Sequence, residues 1–388
     1  MNLRVEYLPV PTGREVKLAV IGTAAAILVG AFVAVGKVAA LAMLIVLPSA
    51  LVVAGICFTN PMAGLMIYFN INFFVLGISR FLPDAPYGLS IDLMLVLIFI
   101  GIFFSVRRTG ERRLHHPVFY LVLVWFMYTI LLFFNTRAPS QVAWFFAVRG
   151  LSLYWLMVVT AGLLLINDPK HLYWLVKCWL FWSVLGALWS FRQYYIGLLP
   201  GEQQWLNEVG YKTHLLFGKQ FRAFSFYTDA GQFGASMAHV SLFAGIMVLE
   251  SKTMLKRVLY LLLALICFWG FAIAGTRGPL FIIFVGGPIY LLLRRNVPLL
   301  ITGLTVLTIA FSLLVFTRIG QGNYQILRMR SALNMEDPSL LIRINNQILL
   351  AGYMADKPFG GGVGSGGTGA TGLRPIRSSG RSLWTAGT

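Results

Sequence analysis

Charge is scarce in this chain. Of its 388 residues only 11% are charged, 58% are hydrophobic, and mean hydropathy is +0.78. A soluble domain has no way to hide that much apolar surface, so a soluble globular class is excluded. Apolar and polar residues do not alternate along the apolar runs, which excludes a transmembrane β-barrel. Cysteine is nearly absent too. Cys57, Cys178 and Cys267 lie inside apolar segments, without CxxC or CxxH spacing. That removes a disulfide framework and a zinc site and leaves them as small core residues. No internal repeat is visible, which argues against the inverted-repeat plan of many transporters.

What is abundant is the long apolar run. Stretches of 18 or more apolar residues recur, each enough to cross roughly 30 Å of hydrocarbon as a helix. The expected class is an all-α polytopic membrane protein of about eleven spans. They are placed at residues 17–36, 38–58, 61–79, 89–106, 117–135, 148–167, 172–191, 232–249, 257–275, 278–293 and 297–316. The first run leads directly into the second, which favours a helical hairpin over a cleaved signal peptide.

The charges orient these spans. The start of the chain (Arg4, Arg14, Lys17), "RRTGERR" (107–113), Lys170, "KTMLKR" (252–257) and Arg294-Arg295 fall in every second connection. That side carries thirteen cations; the opposite short connections carry four, Lys37, Arg80, Arg137 and Arg277. The positive-inside rule places the N-terminus in the cytoplasm and accounts for the charged loops behind a net charge of +18, so no nucleic-acid partner is expected. The resulting division is a cytoplasmic N-terminus (1–16), seven helices (17–191), an outer loop (192–231) and helices eight to eleven (232–316). A large outer loop (317–372) and an atypical basic tail (373–388) follow. Within the large loop, Asp337-Pro338-Ser339 starts a helix. Leu340, Leu341, Ile344, Ile348 and Leu349 form its apolar face and Gly360–Gly362 end it, as suits a helix at the membrane surface or capping a cavity.

Charge inside hydrocarbon is costly, so each instance calls for a reason. Asp92 lies a turn inside its span, where it suits a cap. Lys177 can snorkel to the cytoplasmic headgroups. Arg149 opens the sixth span from the outer side and is a candidate substrate-binding residue. Arg277 sits in "AIAGTRGPLF" (272–281), in a very short outer turn flanked by Gly275, Gly278 and Pro279. A guanidinium held beside a helix N-terminus makes an anion site. Upstream, Lys219 and Arg222 stand among Phe217, Phe221, Phe224, Phe226 and Tyr227. Guanidinium suits diphosphate oxygens and aromatic faces suit sugar rings.

"RAFSFYTDAGQFGA" (222–235) followed by "AIAGTRGPLF" resembles the bacterial O-antigen ligase and polysaccharide polymerase family. "DKPFGGGVGSGG" (356–367) is similar to that family's Gly-rich stretch. The resemblance covers roughly residues 140–370. It implies a glycosyltransferase that needs neither metal nor cofactor and faces the periplasm from the bacterial inner membrane. Its donor would be an undecaprenyl-diphosphate-linked glycan and its acceptor the hydroxyl of a saccharide or lipid-linked glycan, alongside other polysaccharide-assembly proteins. The family's diphosphate-binding arginines map onto Arg222 and Arg277; Lys219, Arg149 and Asp229 extend the candidate site. The family's histidine, in the outer loop after the Gly-rich stretch, has no counterpart. His115, His116, His171, His214 and His239 are the only histidines, and none follows residue 239. The family's last span is missing as well. Both point to a truncated or altered end, which would leave the chain inactive, or to acceptor chemistry done differently here, with Asp229 or His214 as candidate base. Ligase and polymerase differ only in acceptor and stay open. A transporter or flippase for lipid-linked oligosaccharide is the alternative; it calls for ion-coupling carboxylates, and the spans offer only Asp92. A non-catalytic assembly factor would leave the outer arginines replaceable.

Overall fold

The computed structural model describes residues 47–81, 87–105, 113–136, 138, 141–216, 220–317, 324–331, 338–355, 360, 362 and 363. The predicted first span, Lys219, the chain beyond residue 363 and most of the Gly-rich stretch lie outside the described residues.

Ten apolar helices coincide with or overlap the other ten predicted spans, the second of which is described only from residue 47. They are α1 (Leu47–Thr59), α2 (Pro61–Ile78), α3 (Tyr87–Ser105), α4 (Pro117–Phe134), α5 (Gln141–Leu165), α6 (Pro169–Ile196), α8 (Ala230–Glu250), α9 (Met254–Ile273), α10 (Leu280–Leu293) and α11 (Val297–Phe316). Between α6 and α8 runs a short helical segment, α7 (residues 200–214). After α11 come α12 (Tyr324–Arg330) and α13 (Pro338–Ala355). The chain is thus an all-α protein; its only described strand pairing joins Leu215–Leu216 to Gln220–Phe221. Six of the helices (α3 to α6, α8 and α9) are long and apolar enough to cross a membrane. Their outer faces expose large apolar side chains such as Phe103, Leu121, Val124 and Leu262, a surface suited to lipid and not to water.

Four helices begin in the same way. Asn60 precedes Pro61, His116 precedes Pro117, Asp168 precedes Pro169, and Asn296 comes two residues before Pro298. In each case the side chain accepts an N–H of the first turn, from Ala63, Val118, Lys170 and Leu299 respectively. The proline has no N–H to lose there, and its φ is already helical. All four caps lie where the sequence predicts the cytoplasmic side.

Helix ends meet in two groups of contacts. At one end Arg294 pairs with Glu250 at 3.0 Å, joining the connections after α10 and α8. At the other end Arg80 bonds residues 225–228, Arg222 bonds Ala274, Arg277 bonds Ser331, and Asn135 bonds Gly360. Arg80, Arg222, Arg277, Ser331 and Gly360 lie in predicted outer connections, and Asn135 and Ala274 at the adjoining ends of predicted spans.

Two of the apolar core clusters lie among the long helices. α8 and α9 pack closely because α8 presents Ala230, Gly234, Ala238, Ser241 and Ala244 on one stripe at helical spacing. Small residues let membrane helices approach, and the Ser241 hydroxyl reaches the Ala264 carbonyl at 3.1 Å. Phe233, Met237, Cys267 and Phe271 fill this contact. The second core joins α2, α3 and α5 through Leu65, Leu95, Ile98 and Ala161.

Several boundaries differ from the sequence reading. α5 starts at Gln141, seven residues earlier than expected, and runs through a π-helical turn at Arg149–Leu153. The Leu151 carbonyl, within that turn, accepts the Trp125 indole N–H at 3.0 Å. α6 extends to Ile196 through a second π turn, so residues 192–196 belong to a helix and not to a loop. α12 was not foreseen, because seven residues are too few to display a period. On α13, Leu341, Ile344, Ile348 and Leu349 are exposed, and so are Ile342 and Leu350.

Candidate functional site

The segment Arg222–Asp229 is the centre of the predicted outer end. It is an irregular strap, and its backbone polar groups need partners that no helix supplies. Gln193 and Arg80 supply them. The Gln193 Oε1 accepts the N–H groups of Ser225 at 2.7 Å and Phe224 at 3.3 Å, while its Nε2 donates to the Ser225 carbonyl at 3.2 Å. Arg80 donates to the carbonyls of Ser225 at 2.6 Å, Thr228 at 3.2 Å, and Tyr227. Its guanidinium lies over the rings of Trp205 and Phe224, at 4.5 and 4.2 Å from their centroids. Ser225 holds φ = 53°, an unfavourable value for a residue with a Cβ. Bonds to its N–H, its carbonyl and its hydroxyl (to the Gly186 carbonyl, 2.8 Å) keep it there.

Glu202 anchors this platform from below. Only 1% exposed, it accepts from Arg192 at 2.6 Å, Gln193 at 2.7 Å, Trp189 at 2.8 Å and the Leu199 N–H at 2.9 Å. Burial pushes its carboxyl pKa up, but the Leu199 N–H and the three side-chain donors outweigh burial and hold it below the usual value. Burial lowers Arg80 to about 10, so the guanidinium stays charged at neutral pH. Arg80, Arg192, Gln193 and Glu202 were missed by the sequence reading. The only signal was Arg80 itself, which counted as an ordinary loop cation.

The strap brings the two motifs together. Ala223 N–H donates to the Ile273 carbonyl at 3.2 Å, and Arg222 Nε donates to the Ala274 carbonyl at 3.1 Å. Arg222 also bonds the Thr213 carbonyl at 2.8 Å. The turn Ala274–Arg277, fifty residues along the chain, therefore rests directly on Arg222. Gly275 has φ = 59°, and a Cβ there would stand 3.4 Å from the Arg222 side chain. A Cβ on Gly234 in α8 would collide with the Thr276 hydroxyl at 1.9 Å. That hydroxyl is buried with no hydrogen-bond partner among the described residues. Arg277 is half-buried and donates to the carbonyl and hydroxyl of Ser331, at 2.8 and 3.0 Å.

The helix N-terminus beside Arg277 departs from expectation. The N–H groups of Leu280, Phe281 and Ile282 bond the carbonyls of Arg277, Gly278 and Pro279, so the turn satisfies its own donors. A Cβ on Gly278 would meet nothing within 4 Å. The cationic character of this turn thus comes from guanidinium groups.

The remaining candidates fall elsewhere. Arg149 pairs with Asp92 at 2.9 Å, and Tyr154 donates its hydroxyl to the same carboxylate. These two charges from α3 and α5 therefore neutralise one another, where the sequence treated them as a cap and a substrate contact. Lys177 lies over Tyr173 and Trp174, as a snorkelling lysine would. Asp229 caps α8, accepting from Gly231 at 2.5 Å and Gln232 at 2.9 Å. His214, 2% exposed, accepts the Ala230 N–H on Nε2 at 3.2 Å, which leaves Nδ1–H to donate to the Gly210 carbonyl at 3.0 Å. Burial pushes its pKa down to about 4. It is a neutral spacer between α7 and α8, with both nitrogens engaged. Among the described residues no group of three or more His, Cys, Asp or Glu gathers as a metal site. Comparison with protein-family models, curated proteins and solved structures finds no match for this chain.

Proposed function

We propose that the chain is a membrane glycosyltransferase of the O-antigen ligase or polysaccharide polymerase type. In this reading it has eleven spans in a bacterial inner membrane, its N-terminus in the cytoplasm and the Arg222–Arg277 turn facing the periplasm. The donor is a glycan on undecaprenyl diphosphate, and the acceptor is a sugar hydroxyl.

One observation carries the reading. The two stretches that resemble the family, 222–235 and 272–281, meet through Arg222 and the Ala274 carbonyl. Their arginines thereby share one turn, which neither local stretch requires. The chemistry follows from that placement. The acceptor oxygen bonds to the anomeric carbon as the bond to the lipid diphosphate breaks. The electron pair leaves with the diphosphate, and the acceptor proton passes to water. Negative charge grows on the diphosphate during this step, and two guanidinium groups fixed by backbone carbonyls stabilise it without rearranging. The pairing of Asp92 with Arg149 weakens the alternative of ion-coupled transport, since it engages the one carboxylate found within a span by sequence.

The test supplies purified protein with lipid-diphosphate-linked repeat units and follows bond formation. Arg222→Ala and Arg277→Ala are each expected to lower the rate at least about tenfold, or about 1.4 kcal/mol. Undiminished transfer by both variants would overturn the proposal. So would movement of the lipid across the bilayer with no new glycosidic bond.

A further inference from the structure

Arg328 belongs to neither motif, yet the fold delivers it to the same turn. α12 is fastened there three times. Met329 is buried in the core that α8 and α9 form. Gln325 Nε2 donates to the Tyr194 hydroxyl of α6 at 2.5 Å. Ser331 receives Arg277 on both its carbonyl and its hydroxyl, and that hydroxyl donates back to the Arg328 carbonyl at 2.8 Å. With the segment so held, Arg328 Nε points at the Gly275 carbonyl, at 3.5 Å.

Two consecutive carbonyls, of Ala274 and Gly275, thus receive guanidinium groups from opposite sides of the chain, Arg222 and Arg328. Arg277 stands two residues further on. Three like charges around four residues repel one another, and the repulsion is relieved by an anion bearing more than one charge. The Arg328 contact is long, and its two terminal nitrogens make no hydrogen bond among the described residues. Two such nitrogens in one plane match a pair of phosphate oxygens.

We propose that Arg328 is a third diphosphate-binding residue, closing with Arg222 and Arg277 a collar that distinguishes a polyprenyl diphosphate from a monophosphate. The inference rests on the function proposed above and extends it. Two guanidinium groups suffice for one phosphate; the third has a purpose only if a second phosphate is present.

The experiment measures binding of undecaprenyl diphosphate and undecaprenyl monophosphate to the full chain in nanodiscs of zwitterionic lipid. Wild type, Arg222→Ala, Arg328→Ala and Arg328→Gln are compared, with thermal unfolding of each without ligand. Arg328→Gln keeps the length and polarity of the side chain and guards against loss of fold. Both substitutions of Arg328 are expected to weaken diphosphate binding about tenfold while monophosphate binding stays within about twofold, which removes the discrimination. Equal losses for both lipids, or no loss for either, would overturn the role of Arg328. If Arg222→Ala weakens diphosphate binding and Arg328→Gln does not, only this inference fails. If wild type holds neither lipid, the proposed function fails with it.

Discussion

Arg80 and Arg277 occupy equivalent places in the sequence, each in a short connection at the end of an apolar helix, and they do different work. Arg80 is 6% exposed, stacked over two aromatic rings, with its donors spent on three carbonyls of the Ser225–Thr228 strap. Arg277 is half-buried and ties one turn to Ser331. The side chains are the same, so the difference lies in what surrounds them. Where an irregular strap must be buried, arginine serves as a multiple donor that replaces missing secondary structure. Where a turn reaches the surface, it serves as a charge. One arginine builds the platform and the other stands on it.

Removing the platform arginine should do more damage to the fold. Arg80→Ala leaves the buried carbonyls of Ser225 and Tyr227, and that of the exposed Thr228, short of a donor and is expected to destabilise the protein by about 3 kcal/mol. Arg277→Ala is expected to cost less than about 1 kcal/mol. Thermal unfolding of the two variants in nanodiscs measures the contrast, and equal losses would erase it.

His214 offers a second probe of the platform. Its pKa is ordinarily 6.5 and is held down to about 4 by burial. Between those values the unfolded chain binds a proton that the folded chain refuses. Stability is therefore full above about pH 6.5 and falls as the pH drops towards 4, by up to about 3 kcal/mol. Unfolding followed across that window should show the slope in wild type and a flatter one in His214→Asn.

The smallest effects separate the two glycines beside Arg277. Gly275→Ala meets a left-handed backbone and the Arg222 side chain, and is expected to cost about 1 kcal/mol. Gly278→Ala enters open space and should stay within about 0.5 kcal/mol. The same unfolding measurement decides, and a larger loss at Gly278 would contradict the geometry.

Much of the fold was legible because apolar runs report directly on helices. Ten of the predicted spans coincide with helices, and the Asn-Pro, His-Pro and Asp-Pro entries are plain local signals. The π turns at Arg149 and Arg192 were not legible, since one inserted residue leaves composition unchanged. Of the site, Arg222 and Arg277 could be singled out because each interrupts an apolar or aromatic setting. The supports could not. Arg80 and Ser225 are 145 residues apart, and Gln193 and Glu202 resemble any polar residues of an outer loop. Asp229 had a readable second meaning, as the acidic residue just before a helix, and the structure gives it that capping role.

The central claim is that Arg222 and Arg277 act on one bound diphosphate, and a double-mutant cycle on the transfer rate tests it most directly. Each single alanine substitution is expected to lower the rate at least about tenfold, and together they should lose less than the product of the two, with a coupling above about 0.5 kcal/mol. Losses that simply multiply, or no loss from either, would mean that the two arginines do not share a ligand.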